Sequence, residues 1–166
     1  QAVSTLGINV QNGILYVRKD QGGTGESWES PMSELADALY LAKQLNETSP
    51  STVRQIWVAS GKYRPLYRAD NYSNANIDDR DNAFVLQNGV SIYGGFAGFE
   101  SSVNSRQYLP LATGNSGGEA MLTGKVGSEE DETDNLYHII VASGITASSN
   151  TVVDGFVTVS YTHLTL

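Results

Sequence analysis

The chain has 166 residues, 40% of them hydrophobic and 17% charged, which is enough for one domain with a sizeable core. No apolar run approaches the roughly 20 residues that a membrane-crossing helix needs. A formal net charge of −8 argues against nucleic acid as a partner, and the absence of cysteine removes disulfides, thiolate zinc sites and a cysteine nucleophile.

In chain order, ILYV at 14–17 reads as a first strand. The glycine-rich stretch 20–28 lacks the Lys of a phosphate-binding loop and reads as a turn. Ser30 and Pro31 then predict a helix start, with Ser as N-cap and Pro in the first turn. Glu34 and Asp37 fall early in that helix and Lys43 near its far end, as the helix dipole favours. Leu35, Leu39 and Ala42 share a face, with Ala38 and Leu45 alongside. After a polar connector at 46–51, QIWVA at 55–59 is a second strand, ended by Gly61 and Pro65. A polar excursion at 70–82 precedes strands at 83–86 and 90–93, and Gly94-Gly95 predicts a bend before Phe96. A second excursion fills 100–118; short strands follow at 121–122, 138–142 and 151–153, with an acidic run at 129–134.

Two stretches repeat a pattern: VLQNGVSIYGGF at 85–96 and TVVDGFVT at 151–158. Each is a short β-branched strand, a polar residue with Gly (Asn88-Gly89, Asp154-Gly155), then another apolar strand. Glycine supplies the positive φ of tight bends between such strands. The expected fold is mostly β: a right-handed parallel β-helix with an N-terminal capping α-helix, truncated at its C-terminal end. The helix would cover the open end of the coil, where unpaired strand edges recruit other chains.

VSYTHLTL at 159–166 breaks the pattern and resembles, at all eight positions, the translation of a transposase adapter used in sequencing libraries. The expected division is therefore 1–158, cap and first coils, and 159–166, an adapter-derived tail. Because the chain begins at Gln1, a cleaved export signal is expected before it.

Candidate site residues are few. Tyr63, Tyr67 and Tyr72 lie in or near the first excursion and are expected to be exposed for stacking on sugar rings, whereas Trp57 sits in an apolar strand and is expected in the core. Asp78, Asp79 and Asp81, with Arg80 among them, are candidate Ca²⁺ ligands, although they do not follow the EF-hand spacing. The acidic run at 129–134 reads as a solvated loop, and His138 as a packing or hydrogen-bonding residue without a catalytic partner.

Together ILYV at 14–17, Ser27-Trp28, IWVASGKYRP at 56–65, Arg80-Asp81-Asn82, IYGGFAGFE at 92–100, Tyr137-His138 and VVDGF at 152–156 resemble the N-terminal region of bacterial exported proteins of the pectin-lyase-like superfamily. That resemblance implies export to the extracellular space or outer cell surface of a Gram-negative bacterium, and a polysaccharide or surface glycan as partner. It also implies further β-helix coils downstream. The first functional reading is carbohydrate binding or adhesion, with no complete catalytic site in this segment and no required cofactor. The alternative is the N-terminal part of a polysaccharide lyase or glycoside hydrolase. A lyase needs a base and a group that neutralises a uronate; a hydrolase needs two carboxyl groups about 5–5.5 Å or 6.5–9.5 Å apart.

Overall fold

The computed structural model describes residues 7–73, 75–106, 119–127 and 134–159. These residues form β1 (Ile14–Val17), α1 (Leu35–Thr48), β2 (Gln55–Ala59), β3 (Gly61–Tyr63), β4 (Phe84–Leu86) and β5 (Ser91–Phe96), then a 3₁₀ turn at Val103–Ser105. After it come β6 (Ala120–Thr123), β7 (Ile140–Ala142), β8 (Val153–Asp154) and β9 (Phe156–Val159). Among the described residues the regular structure is mostly sheet, with parallel strand pairing and one α-helix.

Three sheets are present among the described residues, in the orders β1-β2-β5-β8, β3-β6-β9 and β4-β7. From β2 onward the chain visits the sheets in a fixed rotation: β2, β3 and β4, then β5, β6 and β7, then β8 and β9. Each pass lays its strands beside those of the pass before.

In the first sheet, registration sorts the side chains into two columns. Leu15, Ile56, Ile92 and Val153 stack in one, and Tyr16, Trp57, Tyr93 and Asp154 in the other. Successive side chains of a strand point to opposite faces, so Leu15, Ile56 and Ile92 enter the main core while Tyr16, Trp57 and Tyr93 join a second cluster on the other face; Val153 and Asp154, at the end of each column, are exposed. Gly94-Gly95, expected to be a bend, is a bulge inside β5. Trp57 faces Tyr93 and Ala59 faces Phe96, so Val58 is opposed by two glycines, with Gly95 at φ +86°.

The two Asn/Asp-Gly turns are not equivalent, contrary to the expected repeat. Asp154 is registered on Tyr93, so Asp154-Gly155 lies at the corner between the first and second sheets. Asn88-Gly89 lies at a different corner, between β4 and β5. There Asn88 Oδ1 accepts the Thr146 N–H at 3.0 Å and Gly89 N–H donates to Thr151 Oγ1 at 2.9 Å, tying the turn to the following pass.

The helix starts at Leu35, not at Pro31. Residues 30–32 are taken by the outer edge of β1. Met32 N–H donates to the Tyr16 carbonyl at 2.9 Å, Arg18 N–H to the Met32 carbonyl at 2.8 Å and Tyr16 N–H to the Gly25 carbonyl at 2.9 Å. Asp37 remains in the first turn, while Lys43 is mid-helix and pairs with Glu47 at 3.0 Å. Leu35, Leu39 and Leu45 are buried in the main core, each worth about 1.5–3 kcal/mol relative to exposure. The helix packs on β1, β2 and β4, which include the first strands of two sheets. At its far end Asn46 holds Val53 by both backbone groups: the side-chain amide donates to the carbonyl at 2.9 Å, and Oδ1 accepts the N–H at 2.8 Å.

At the opposite end, β7, β8 and β9 are the last strands of their sheets, and among the described residues nothing pairs with their outer edges. Of the tail at 159–166 only Val159 is described; it closes β9, registered on Thr123. The rest of the tail, and residues 129–133 of the acidic run, lie outside the described residues.

Candidate functional site

The sequence between β3 and β4 returns to the helix and brings three tyrosines together. Tyr40, from α1, stacks on Tyr72 with ring centroids 4.9 Å apart and planes 5° from parallel. Tyr67 stands 6.0 Å from Tyr40 and 5.8 Å from Tyr72, and the Lys43 ammonium lies 5.7 Å from the Tyr72 ring centre. All three tyrosines are half-buried. Tyr67 donates its hydroxyl proton to Asp37 Oδ1 at 2.5 Å, which fixes the loop onto the helix.

Beside this cluster is a cleft of about 370 Å³, within the range of small-molecule sites (about 300–1,000 Å³). Ile8, Met32 and Leu41 give it apolar walls, Tyr40 an aromatic one, and Thr24, Asp37 and Gln44 the polar groups. The Thr24 side is held rigidly: Gly23 N–H donates to the Pro31 carbonyl at 2.7 Å and Gly25 N–H to the Ser30 carbonyl at 2.8 Å. The glycine-rich stretch is thus the turn expected of it.

Tyr67 and Tyr72 are therefore brought together, and Tyr63 is not. Against expectation Tyr63 is fully buried in the main core. Its hydroxyl donates to the Ala59 carbonyl at 2.9 Å and accepts the Lys19 N–H at 3.2 Å. Gly61 ends no strand region; it starts the short β3, which points Tyr63 inward. Tyr40 was not among the sequence candidates. The spacing of Asp37, Tyr40, Leu41 and Gln44 marks one helical face and was the available signal.

Two of the three carboxylates expected to hold Ca²⁺, those of Asp79 and Asp81, face an arginine. Asp79 and Asp81 lie 3.6 and 3.2 Å from the Arg68 guanidinium, and Asp70 adds a third contact at 3.4 Å. Asp81, Asp70 and Asp79, in that order of effect, favour the charged form of Arg68. Asp78 is not among these ion pairs; its N–H donates to Asn76 Oδ1 at 3.1 Å. Among the described residues no group of three His, Cys, Asp or Glu is arranged to hold a metal ion. His138 is exposed just before β7.

Trp57 is buried, as expected, but in the aromatic cluster on the outer face of the first sheet. It stacks on Phe96 at 4.8 Å and meets Tyr16 edge-on at 5.6 Å. Trp28 covers this face, its indole N–H donating to the Glu100 carbonyl at 2.9 Å. The Glu100 carboxylate accepts the N–H groups of Ala97, Gly98 and Phe99 at 2.7–3.1 Å. Burial alone would raise the Glu100 carboxyl, but these donors outweigh it and hold it below its ordinary value. The face is closed by its own side chains, which leaves the tyrosine cleft as the better site for a ligand.

Burial, and then the Asp37 carboxylate, push the Tyr67 hydroxyl up from 10.0 to about 12. The unfolded chain loses this proton near 10.0 and the folded chain near 12, so the contribution is full below 10.0 and is lost as pH rises through about 12. Spectrophotometric titration should show a late-ionising phenol that disappears in Tyr67→Phe, with a shallower alkaline loss of stability. A Tyr67 that titrates normally would mean the bond to Asp37 is not made in solution.

No protein family, curated protein or solved structure matches this chain.

Proposed function

We propose that this chain is the capped N-terminal part of an exported right-handed parallel β-helix that binds carbohydrate at the outer surface of a Gram-negative cell. The strand rotation through three parallel sheets supports the coil, and the general right-handedness of parallel crossovers supports its hand. The contacts of α1 with β1 and β4 support its role as the cap. Export and location rest on the segmental resemblance to pectin-lyase-like proteins.

The observation that carries the binding function is the cleft walled by Tyr40 and flanked by Tyr67 and Tyr72. A sugar ring has an apolar C–H face and a polar rim. The cleft offers an aromatic and aliphatic surface for the first, and Asp37, Thr24 and Gln44 for the second. Affinity electrophoresis of the full chain through a panel of neutral, amino and uronate polysaccharides tests this reading. At least one should retard it, and Tyr40→Ala should weaken that binding by about tenfold or more, as expected for an aromatic anchor. A chain that migrates unretarded through every polymer does not have this function.

A further inference from the structure

We propose that the cleft selects non-acidic hexose units, neutral or amino-bearing, and turns away hexuronates. This rests on the glycan-binding reading above and adds the class of glycan. Asp37 is the one ionisable side chain with a formal charge at neutral pH among the residues lining the cleft, and no lysine or arginine joins it. Its Oδ1 is occupied by the Tyr67 hydroxyl. Among the described residues no hydrogen bond reaches Oδ2, so that oxygen is an acceptor for a ligand.

The other polar wall leans the same way. Thr24 gives its hydroxyl proton to Glu26 at 2.8 Å, so it offers a ligand lone pairs rather than a donor. The side-chain donors are the Gln44 amide and the Tyr40 hydroxyl, both uncharged. Sugar hydroxyls and ammonium groups are donors and match such a wall; a carboxylate brings further negative charge against Asp37. The nearest helix cation does not offset this, because Lys43 is bound to Glu47 at 3.0 Å and lies against Tyr72. The net charge of −8 adds repulsion for a polyuronate at longer range.

Isothermal titration of the full chain with cellohexaose, a chitosan hexamer and a galacturonate hexamer at low salt decides the matter. The galacturonate hexamer should bind at least about tenfold more weakly than the better of the other two. Asp37→Asn should narrow that gap, weakening the chitosan hexamer and strengthening the galacturonate one. Should Asp37→Asn lose its cooperative melt, Gln44→Lys serves in its place and should strengthen galacturonate binding alone. Galacturonate binding as tight as the others and abolished by Tyr40→Ala would overturn the selectivity and leave glycan binding standing. If none of the hexamers and no polysaccharide of the panel binds, both readings fall.

Discussion

Gly155→Ala is expected to destabilise the fold by about 2–5 kcal/mol, the largest effect of any single methyl group considered. About 1–2 kcal/mol comes from placing a Cβ at φ +80°, and about 1–3 kcal/mol from overpacking. The second contribution has identifiable atoms. A Cβ on Gly155 would overlap the Gly94 carbonyl oxygen and come within 2.8 Å of Arg106 Nη1. From the other side, a Cβ on Gly94 would lie 2.5 Å from the Gly155 carbonyl oxygen and 2.9 Å from the Ala120 Cβ. The two passes therefore touch backbone to backbone at this corner, and the nearest obstructing atom on each side is a main-chain carbonyl oxygen that cannot swing aside.

Gly89→Ala is the control. Its φ of +76° is nearly the same, but no atom lies within 4 Å of the added carbon, so it should cost only the conformational part, about 1–2 kcal/mol. Urea unfolding of both variants isolates the steric difference. Equal losses would mean that the corner is not packed in this way.

Tyr63→Ala is expected to cost about 3–5 kcal/mol, as truncation of a buried aromatic does. Tyr63→Phe keeps the ring but strands the Ala59 carbonyl and the Lys19 N–H, and should cost about 1–3 kcal/mol. The phenol is held protonated by burial well beyond its ordinary range, consistent with a core position. Neither change touches the cleft, so Tyr63→Phe should bind glycan as the native chain does. A Tyr63→Phe chain of native stability with impaired glycan binding would return this residue to the ligand site.

Where the apolar pattern ran for a whole strand, the sequence was readable. Residues 14–17 and 55–59 were read with the strand bounds they have, because a compact apolar run fills or nearly fills each element. β3 was not, since Gly-Lys-Tyr contributes one inward residue and too short a stretch for any period. The helix start was misplaced because Ser30 and Pro31 carry a strong local signal that a distant partner overrides: the edge of β1 takes their stretch of chain. The repeat was misaligned for a related reason. Asn88-Gly89 and Asp154-Gly155 are alike as local turns, and only strand registration distinguishes their corners.

The site divides in the same way. Tyr67 and Tyr72 were legible as aromatic residues in a polar excursion. Tyr63 has similar surroundings in sequence but follows a strand that turns it inward. The cleft depends on Tyr40 and Asp37, which belong to a helix whose sequence reading concerned its apolar face. Arg68, which gathers the acidic side chains, lies outside the Asp78–Asp81 stretch that suggested a cation site.

The unequal ends of the stack also give its growth a direction. A strand arriving beside β1 would have to displace the Gly25–Met32 segment that already occupies its donors and acceptors. One arriving beside β7, β8 or β9 meets edges to which no described residue is paired. Synthesis runs from the N-terminus, so the sealed end is completed first. Each later pass then finds a finished template on one side and, among the described residues, no paired strand on the other. Among the described residues, then, the parallel sheets are closed to a new strand at β1 and open to one at β7, β8 and β9.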